Sequence, residues 1–247
     1  MILSRSIAAL VVAALPAIAS AELSNDSMIG PGLRSRPAYD GSDSQHTEFV
    51  PVIRHFGEHW FVRSTQGVLE AGPRFELSPG LHAGAQLAYE PGRRASESPF
   101  LVANGVPDIK RGISYGLQME WDHTFGPVPI TLLGRVRKNT KSELGTQADL
   151  RLSAGVLKAG PVSAGVFTQA TWADSKSANA LYGEGAYHAG AGMMFASVGL
   201  LGSVDLGPHW LIVGSAEARR LRGDAALSPL AERKSSHYVT VGAAYRF

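Results

Sequence analysis

The sequence predicts an all-β fold, a transmembrane antiparallel up-and-down β-barrel of about 12 strands. Three observations lead to this prediction. Apolar and polar residues alternate along most of the chain, as they do when one face of a strand meets lipid and the other faces an interior. Most alternating runs are about ten residues long, the length that a tilted strand needs to cross a bilayer. Tight turns rich in Gly or Pro alternate with longer polar connections, an asymmetry typical of outer-membrane barrels.

The amino terminus has the pattern of a secretory signal peptide over residues 1–21. Arg5 supplies the positive charge, an apolar run follows, and Ala19 and Ala21 provide the small-residue cleavage pattern. We expect cleavage after Ala21, which leaves residues 22–247 as an outer-membrane β-barrel domain. The alternative, an amino-terminal membrane anchor, is disfavoured because the apolar run is shorter than the ~20 residues that a spanning helix needs.

The first six strands are predicted from alternation that turn residues interrupt. A helix would place apolar residues three and four positions apart, and these runs do not. The alternation is explicit in VLEAGPRFEL, GLHAGAQLAYE and GISYGLQMEWDH, which begin at residues 68, 80 and 112. These six strands are expected, in order, at residues 27–38, 46–56, 58–65, 68–77, 80–89 and 112–124.

The last six strands follow the same pattern, with Gly-Pro pairs at residues 126–127, 160–161 and 207–208 marking turns. We expect them, in order, at residues 128–138, 147–158, 162–173, 190–205, 208–222 and 236–247. The tight connections fall between every second pair of strands, and the others are longer, except for a short link at Gln66-Gly67. Short turns are periplasmic in outer-membrane barrels, so both termini should be periplasmic. A soluble β-sandwich is the alternative, but it does not require this asymmetry.

The chain ends on the alternating segment SHYVTVGAAYRF. Strands can cross hydrocarbon only in a closed barrel, because every backbone N–H and C=O needs an internal partner. We therefore expect the last strand to pair with the first. Val241, Tyr245 and Phe247 also resemble the carboxy-terminal signature of bacterial outer-membrane proteins, so the barrel-assembly machinery is a predicted partner together with outer-membrane lipid.

Ten charged residues lie on the polar faces of the predicted strands. An Arg on the lipid face would cost about 2–4 kcal/mol at the bilayer midplane, so these side chains should face the lumen. They could select solutes in an open pore or plug a narrow lumen with ion pairs, and we favour the plugged lumen. The predicted lumen-lining charges are Glu70, Arg74, Glu76, Glu120, Asp122, Arg135, Arg137, Arg151, Glu217 and Arg219.

The sequence predicts no catalytic, cofactor or metal site. It contains no cysteine, which excludes disulfides and thiolate catalysis. Ser114, Asp122 and His123 could lie near one another, but no Gly-x-Ser-x-Gly elbow marks a nucleophile. Asp40 and Asp43 could hold a divalent ion weakly, although an Asx-turn is the preferred interpretation. A net charge of +2 gives no electrostatic basis for binding nucleic acid.

Several segments resemble one family. YDGSD at residues 39–43 follows the first predicted strand, LRGDAALSPL at residues 221–230 follows the eleventh, and LGPHWLIVGSAEARRL precedes a chain end of YRF. Together they resemble the MipA/OmpV family of outer-membrane proteins, the MltA-interacting proteins, over residues 28–247. The resemblance implies a barrel without established catalytic residues in the outer membrane of a Gram-negative cell.

The same resemblance implies a scaffold that brings a murein lytic transglycosylase together with a penicillin-binding synthase during peptidoglycan growth. Other members of the family are described as porin-like. The predicted function is therefore a non-catalytic scaffold for peptidoglycan-remodelling enzymes. A narrow porin-like channel for small solutes remains the alternative.

Overall fold

Twelve antiparallel strands close into a barrel in the computed structural model, which describes residues 27–247. The predicted signal peptide, with Ala19 and Ala21, lies outside the described residues. The strands are β1 (Met28–Pro37), β2 (Gln45–Phe56), β3 (Trp60–Thr65), β4 (Val68–Ser78), β5 (Leu81–Glu90), β6 (Gly112–Phe125), β7 (Val128–Asn139), β8 (Thr146–Ala159), β9 (Val162–Ala173), β10 (Gly192–Asp205), β11 (Trp210–Leu221) and β12 (Ser235–Arg246).

The predicted all-β barrel of about 12 strands is confirmed, including its up-and-down order. Each strand pairs with its neighbours in the chain, and β12 pairs with β1 to close the wall. Ile29 lies opposite Tyr245, and Leu33 lies opposite Val241. The expectation that the chain ends on the closing strand is therefore correct. Strands β3 and β11 begin two residues later than predicted, because residues 57–59 and 206–209 form the turns before them.

The outward faces of the strands form an apolar surface. Phe49 is 71% exposed and Leu117 is 69% exposed, although both lie well inside strands. Large apolar side chains are exposed in this way on all sides of the barrel, which is the surface that a surrounding bilayer would cover. Within residues 27–247, none of the helices has the length and apolar character needed to cross a membrane.

Introducing Arg at Leu117 should lower the free energy of unfolding by about 2–4 kcal/mol, because this side chain lies in the middle of β6 on the lipid face. Urea titration of the barrel in lipid vesicles would measure the change. Phe125→Arg is the matched control, since Phe125 is also exposed but lies at the end of β6 beside a short turn. Its cost should fall to about 0–1 kcal/mol near the interface. Equal costs at the two positions would contradict a lipid belt centred on Leu117.

The longer connections contain ordered structure that the sequence did not predict. The connection after β5 contains helix α1 (Pro99–Ala103), and the connection after β9 contains helix α2 (Ser175–Tyr182). Each helix has an amino-terminal cap: the Ser98 hydroxyl accepts from the Leu101 amide at 3.4 Å, and the Asp174 carboxylate accepts from the Ser177 amide at 2.8 Å. These connections therefore form a structured cap at one end of the barrel.

The hairpin of β3 and β4 is the short element of the wall. The ladder between β2 and β3 comprises three residue pairs, whereas β2 pairs with β1 along ten. Beyond the ladder, the Ser64 hydroxyl accepts from the Ile53 amide at 3.0 Å and so replaces a backbone partner. The turn between β3 and β4 consequently ends part of the way along β2. It contacts residues of the lumen and does not reach the cap.

Candidate functional site

The candidate site is the lumen, where charged side chains are buried against one another. Glu70 on β4 is 1% exposed and lies at the centre of a group of ion pairs. Its carboxylate accepts from Arg63 Nε at 3.2 Å and from Arg135 Nη1. Both guanidinium groups are themselves buried. Burial of this kind is tolerated only where each charge has a partner, because an isolated buried charge would cost several kcal/mol.

The group extends across the lumen from Glu70. Arg63 Nη1 donates to Glu120 at 2.7 Å, and β3 and β6 are not neighbours in the wall, so this bond crosses the interior. Asp149 accepts from Arg137 Nη2 at 3.0 Å and lies 3.4 Å from Arg135 Nη2. We call the following set the central network: Arg63, Glu70, Gln118, Glu120, Arg135, Arg137 and Asp149.

A second set joins the opposite side of the barrel. Both carboxylate oxygens of Asp40 accept from Arg219 Nη1, at 2.8 and 3.0 Å, and Tyr238 donates its hydroxyl to the same carboxylate. Arg219 also donates to Glu217 at 3.1 Å. We call Asp40, Glu217, Arg219, Tyr238 and Gln66 the outer network. Asp40 therefore holds a lumen arginine, and the sequence interpretation of a loop Asx-turn at this residue was wrong.

The turn of β3 and β4 contributes the last member of the outer network. Gln66 Nε2 donates to Glu217 at 2.9 Å, which links the β3–β4 turn to β11 across the lumen. Gln66 has φ +52° and Gly67 has φ +81°, so both residues of the turn are left-handed. A Cβ at Gly67 would lie 1.9 Å from Arg34 Nη1. A larger residue at this position would strain the backbone and displace the guanidinium of Arg34.

The cap lies at the end of the barrel that carries the long connections. Tyr39 packs in a buried apolar cluster with Leu101 from α1 and with Leu230. Its hydroxyl lies 2.9 Å from the Leu230 carbonyl and 3.0 Å from the Glu232 carboxylate. Burial raises the pKa of Tyr39, and the neighbouring Glu232 acts in the same direction. The phenol therefore stays protonated and remains a hydrogen-bond donor in the cap.

A second cluster ties α2 to the rest of the cap. Tyr182 at the end of α2 is buried with Phe195 and Leu221 from the tops of β10 and β11. The Ser228 hydroxyl donates to the Tyr182 carbonyl at 2.5 Å. Arg93, from the connection that carries α1, donates to the Leu181 carbonyl at 2.9 Å. Three separate connections are thus bonded to one another above the lumen.

A cavity of about 270 Å³ lies within the lumen and borders on members of both networks. Its wall combines charged and apolar side chains from strands around the barrel. Arg34, Glu120, Arg151 and Glu217 provide charges. We call this space the lumen cavity. Its apolar lining includes Val50, Val52, Leu133, Phe167, Leu201 and Val213.

The ten predicted lumen residues differ in how far they are buried. Arg74 and Asp122 are half-buried, and Glu76 is exposed near the end of β4, where its carboxylate accepts from the Gly80 amide at 3.3 Å. The other seven are buried. Sequence reasoning missed Arg63 and Asp149, although both follow the same period-two pattern as the residues that it selected. The buried seven are Glu70, Glu120, Arg135, Arg137, Arg151, Glu217 and Arg219.

The residues considered for catalysis are not brought together. Ser114 is buried near the start of β6 and donates to Glu90 at 2.8 Å. His123 is exposed near the other end of the same strand, where it stacks on Trp121. Asp122 instead accepts from Thr131. Among the residues that the structure describes, no group of three or more His, Cys, Asp or Glu side chains is arranged to hold a metal ion.

Comparison with known proteins gives a family and a fold. The family model described as MltA-interacting protein MipA matches residues 29–247. An outer-membrane channel from Pseudomonas putida F1 is 11% identical, with a TM-score of 0.51, over 95% of this chain and 97% of that one. The NanC porin is 9% identical, with a TM-score of 0.49, over 90% of this chain and all of that one. No curated protein sequence matches.

Proposed function

The chain belongs to the MltA-interacting protein MipA family and is an outer-membrane barrel protein, and on this premise we propose that it is a non-catalytic scaffold for peptidoglycan-remodelling enzymes. The description of the family names an interaction with MltA, a lytic transglycosylase. We extend the proposal to a penicillin-binding synthase as the second partner. Export through a signal peptide cleaved after Ala21 and insertion by the barrel-assembly machinery are parts of the same proposal.

The ion pairs that cross the lumen, together with the cap above them, are the observation that carries this proposal. The central network crosses the interior from β3 to β6, and the outer network crosses it from the β3–β4 turn to β11. Above both, the cap joins the long connections through buried clusters. A lumen filled in this way favours a barrel that serves as an anchored platform over one that conducts freely.

The end opposite the cap is the surface that a periplasmic enzyme would contact. It consists of the five short turns and the carboxy terminus. Glu58 and Lys158 are exposed beside these turns, and Arg246 forms an ion pair with Asp205 at 2.7 Å. The surface therefore offers polar groups of both signs on rigid strand ends, which suits a docking site for a soluble partner.

Site-specific photo-crosslinking in cells would test the scaffold. A photo-reactive residue in place of Lys158, at the end of β8 beside a short turn, should capture a lytic transglycosylase or a penicillin-binding protein. The control replaces Lys110, an exposed lysine in the connection that carries α1, and should capture neither enzyme. If positions in all five short turns capture no cell-wall enzyme, the scaffold proposal is wrong.

A narrow channel for small solutes is the second candidate, and the lumen cavity favours it. The cavity borders on both networks and extends to residues at the short-turn ends of the strands, such as Met28, Phe56 and Pro129. A channel of this kind would show small unitary currents in planar bilayers, and removal of a central-network charge such as Arg135 would change its ion selectivity. Absence of any current above the bare bilayer would exclude it.

A further inference from the structure

Arg151 on β8 differs from the arginines of the central network because, among residues 27–247, no carboxylate forms an ion pair with it within 4 Å. Its side chain lines the lumen cavity and is 9% exposed. Nε donates to the Ser153 hydroxyl at 3.4 Å, and Nη1 is buried without a hydrogen-bond partner among residues 27–247. The guanidinium stacks over the Phe167 ring at 3.8 Å from its centroid. Packing and one long hydrogen bond are thus the contacts that hold it.

An arginine in this situation is poorly compensated. A buried guanidinium is always charged, and leaving such a group without a counter-charge costs several kcal/mol. The stack on Phe167 offsets part of this cost. The side chain borders the lumen cavity, a space that the protein itself does not fill. An anion in the lumen cavity would supply the counter-charge and the hydrogen-bond acceptor that Arg151 lacks.

The two carboxylates around the cavity are each hydrogen-bonded to another arginine, and neither forms an ion pair with Arg151 within 4 Å. Glu120 is paired with Arg63 at 2.7 Å, and Glu217 is paired with Arg219 at 3.0 Å. Arg34 adds a further positive charge to the lining, and the carboxylate recorded nearest to it is Glu48, at 3.8 Å. The lining therefore carries an excess of positive charge.

The rest of the lining sets the character of the ligand. Val52, Leu133 and Val213 belong to the cavity wall and offer no hydrogen bonds. A fully hydrated inorganic anion would gain little from such a surface, whereas an apolar body attached to the anionic group would gain about 25 cal/mol for each Å² that it buries. The cavity volume of about 270 Å³ limits the ligand to a small molecule.

We propose that the lumen cavity binds a small organic anion with an apolar body, such as a medium-chain carboxylate, whose head group contacts Arg151. The apolar body lies against the Val and Leu side chains, and Phe167 holds the guanidinium in place from the side of the ring. This site goes beyond the scaffold function and does not depend on it, because it requires no protein partner.

Calorimetric titration of the purified, folded barrel in a nonionic detergent would test the site, with octanoate as the probe. We expect Arg151→Gln to weaken octanoate binding at least about tenfold, the loss expected when a charge-assisted hydrogen bond is removed. Arg151→Lys should retain most of the affinity because the charge remains. Arg220→Gln is the matched control, because Arg220 lies on the same barrel but is exposed.

Two comparison ligands complete the experiment. Octanol has the apolar body without the charge, and inorganic phosphate has the charge without the apolar body; both should bind more weakly than octanoate. The proposal is overturned if octanoate does not bind the natural barrel, if octanol binds as tightly, or if Arg151→Gln leaves the affinity unchanged. If Arg151→Gln fails to fold, the lysine variant and the comparison of ligands still test the proposed site. Loss of crosslinking to cell-wall enzymes would leave this measurement unaffected.

Discussion

Replacement of Glu70 by glutamine should lower the free energy of unfolding by about 3–5 kcal/mol, the cost of breaking a buried ion pair from one side. Glu70 accepts from Arg63 and Arg135 at once, and all three side chains are buried. A glutamine would present an amide N–H₂ group to one guanidinium and would leave two buried positive charges sharing fewer acceptors. The measurement is a urea titration in lipid vesicles, followed by tryptophan fluorescence.

Glu76→Gln is the matched control for this change. Glu76 belongs to the same strand and its side chain lies on the same alternating face, but it is exposed near the turn. Its replacement should change the free energy of unfolding by no more than about 0.5 kcal/mol. Equal losses from the two substitutions would show that the central network does not stabilise the barrel beyond an ordinary surface charge.

A double variant measures the interaction between Glu70 and Arg135 apart from their other contacts. If Glu70 and Arg135 stabilise the barrel chiefly through each other, the variant with glutamine at both positions should lose less than the sum of the two single changes. Strictly additive losses would mean that each side chain acts through other partners, such as Arg63 or Asp149. This double-mutant cycle therefore tests which contacts of the central network contribute to the free energy of unfolding.

The barrel could be predicted from the sequence because the patterns that indicate its strands and turns are local. Alternation with a period of two follows from strand geometry, so residues 112–124 predict β6 without any knowledge of what pairs with it. The turn residues are equally local, as Gly126 shows with its φ of +59° between β6 and β7. Strand number, order and closure follow from such segments, since closure is what a bilayer requires.

The contacts within the lumen could not be predicted in the same way, because they join positions far apart in the chain. Asp40 and Arg219 are separated by 179 residues, and the pattern around each predicts only a side of a strand or a loop. Alternation predicted that charges such as Arg135 face inward, but it contains no information on shear, and the shear decides which inward residues meet across the barrel. The partnership of Arg135 with Glu70 therefore required the structure.

The cap was missed for a related reason. The long connections are polar in composition, which favours a loop interpretation, and their apolar residues are few and scattered. Leu101 and Leu230 lie in different connections and become a buried cluster only when β1 brings Tyr39 between them. No period marks such a cluster in the sequence. The consequence for function is large, because the cap and the two networks together distinguish an occluded barrel from an open pore.

Deletion of Phe247 should reduce the amount of barrel in the outer membrane to a small fraction of the natural level while changing the stability of the folded barrel little. Phe247 is 68% exposed, and its backbone amide donates to the Ser27 carbonyl at 3.1 Å. Loss of that hydrogen bond should cost no more than about 1.5 kcal/mol. A residue that contributes so little to the finished barrel, yet directly follows the closing strand β12, is expected to act while the barrel is being assembled.

The experiment compares two readouts on the same variant. The level in purified outer membranes reports assembly in cells, and urea titration of protein refolded from inclusion bodies reports stability without the assembly machinery. Leu206→Ala is the control, because Leu206 is similarly exposed at a short turn but is not terminal. Normal membrane levels of the deletion variant would contradict the assembly role of the terminus. A large loss of refolded stability would instead assign the defect to the barrel itself, because Phe247 would then stabilise the closed strand pair directly.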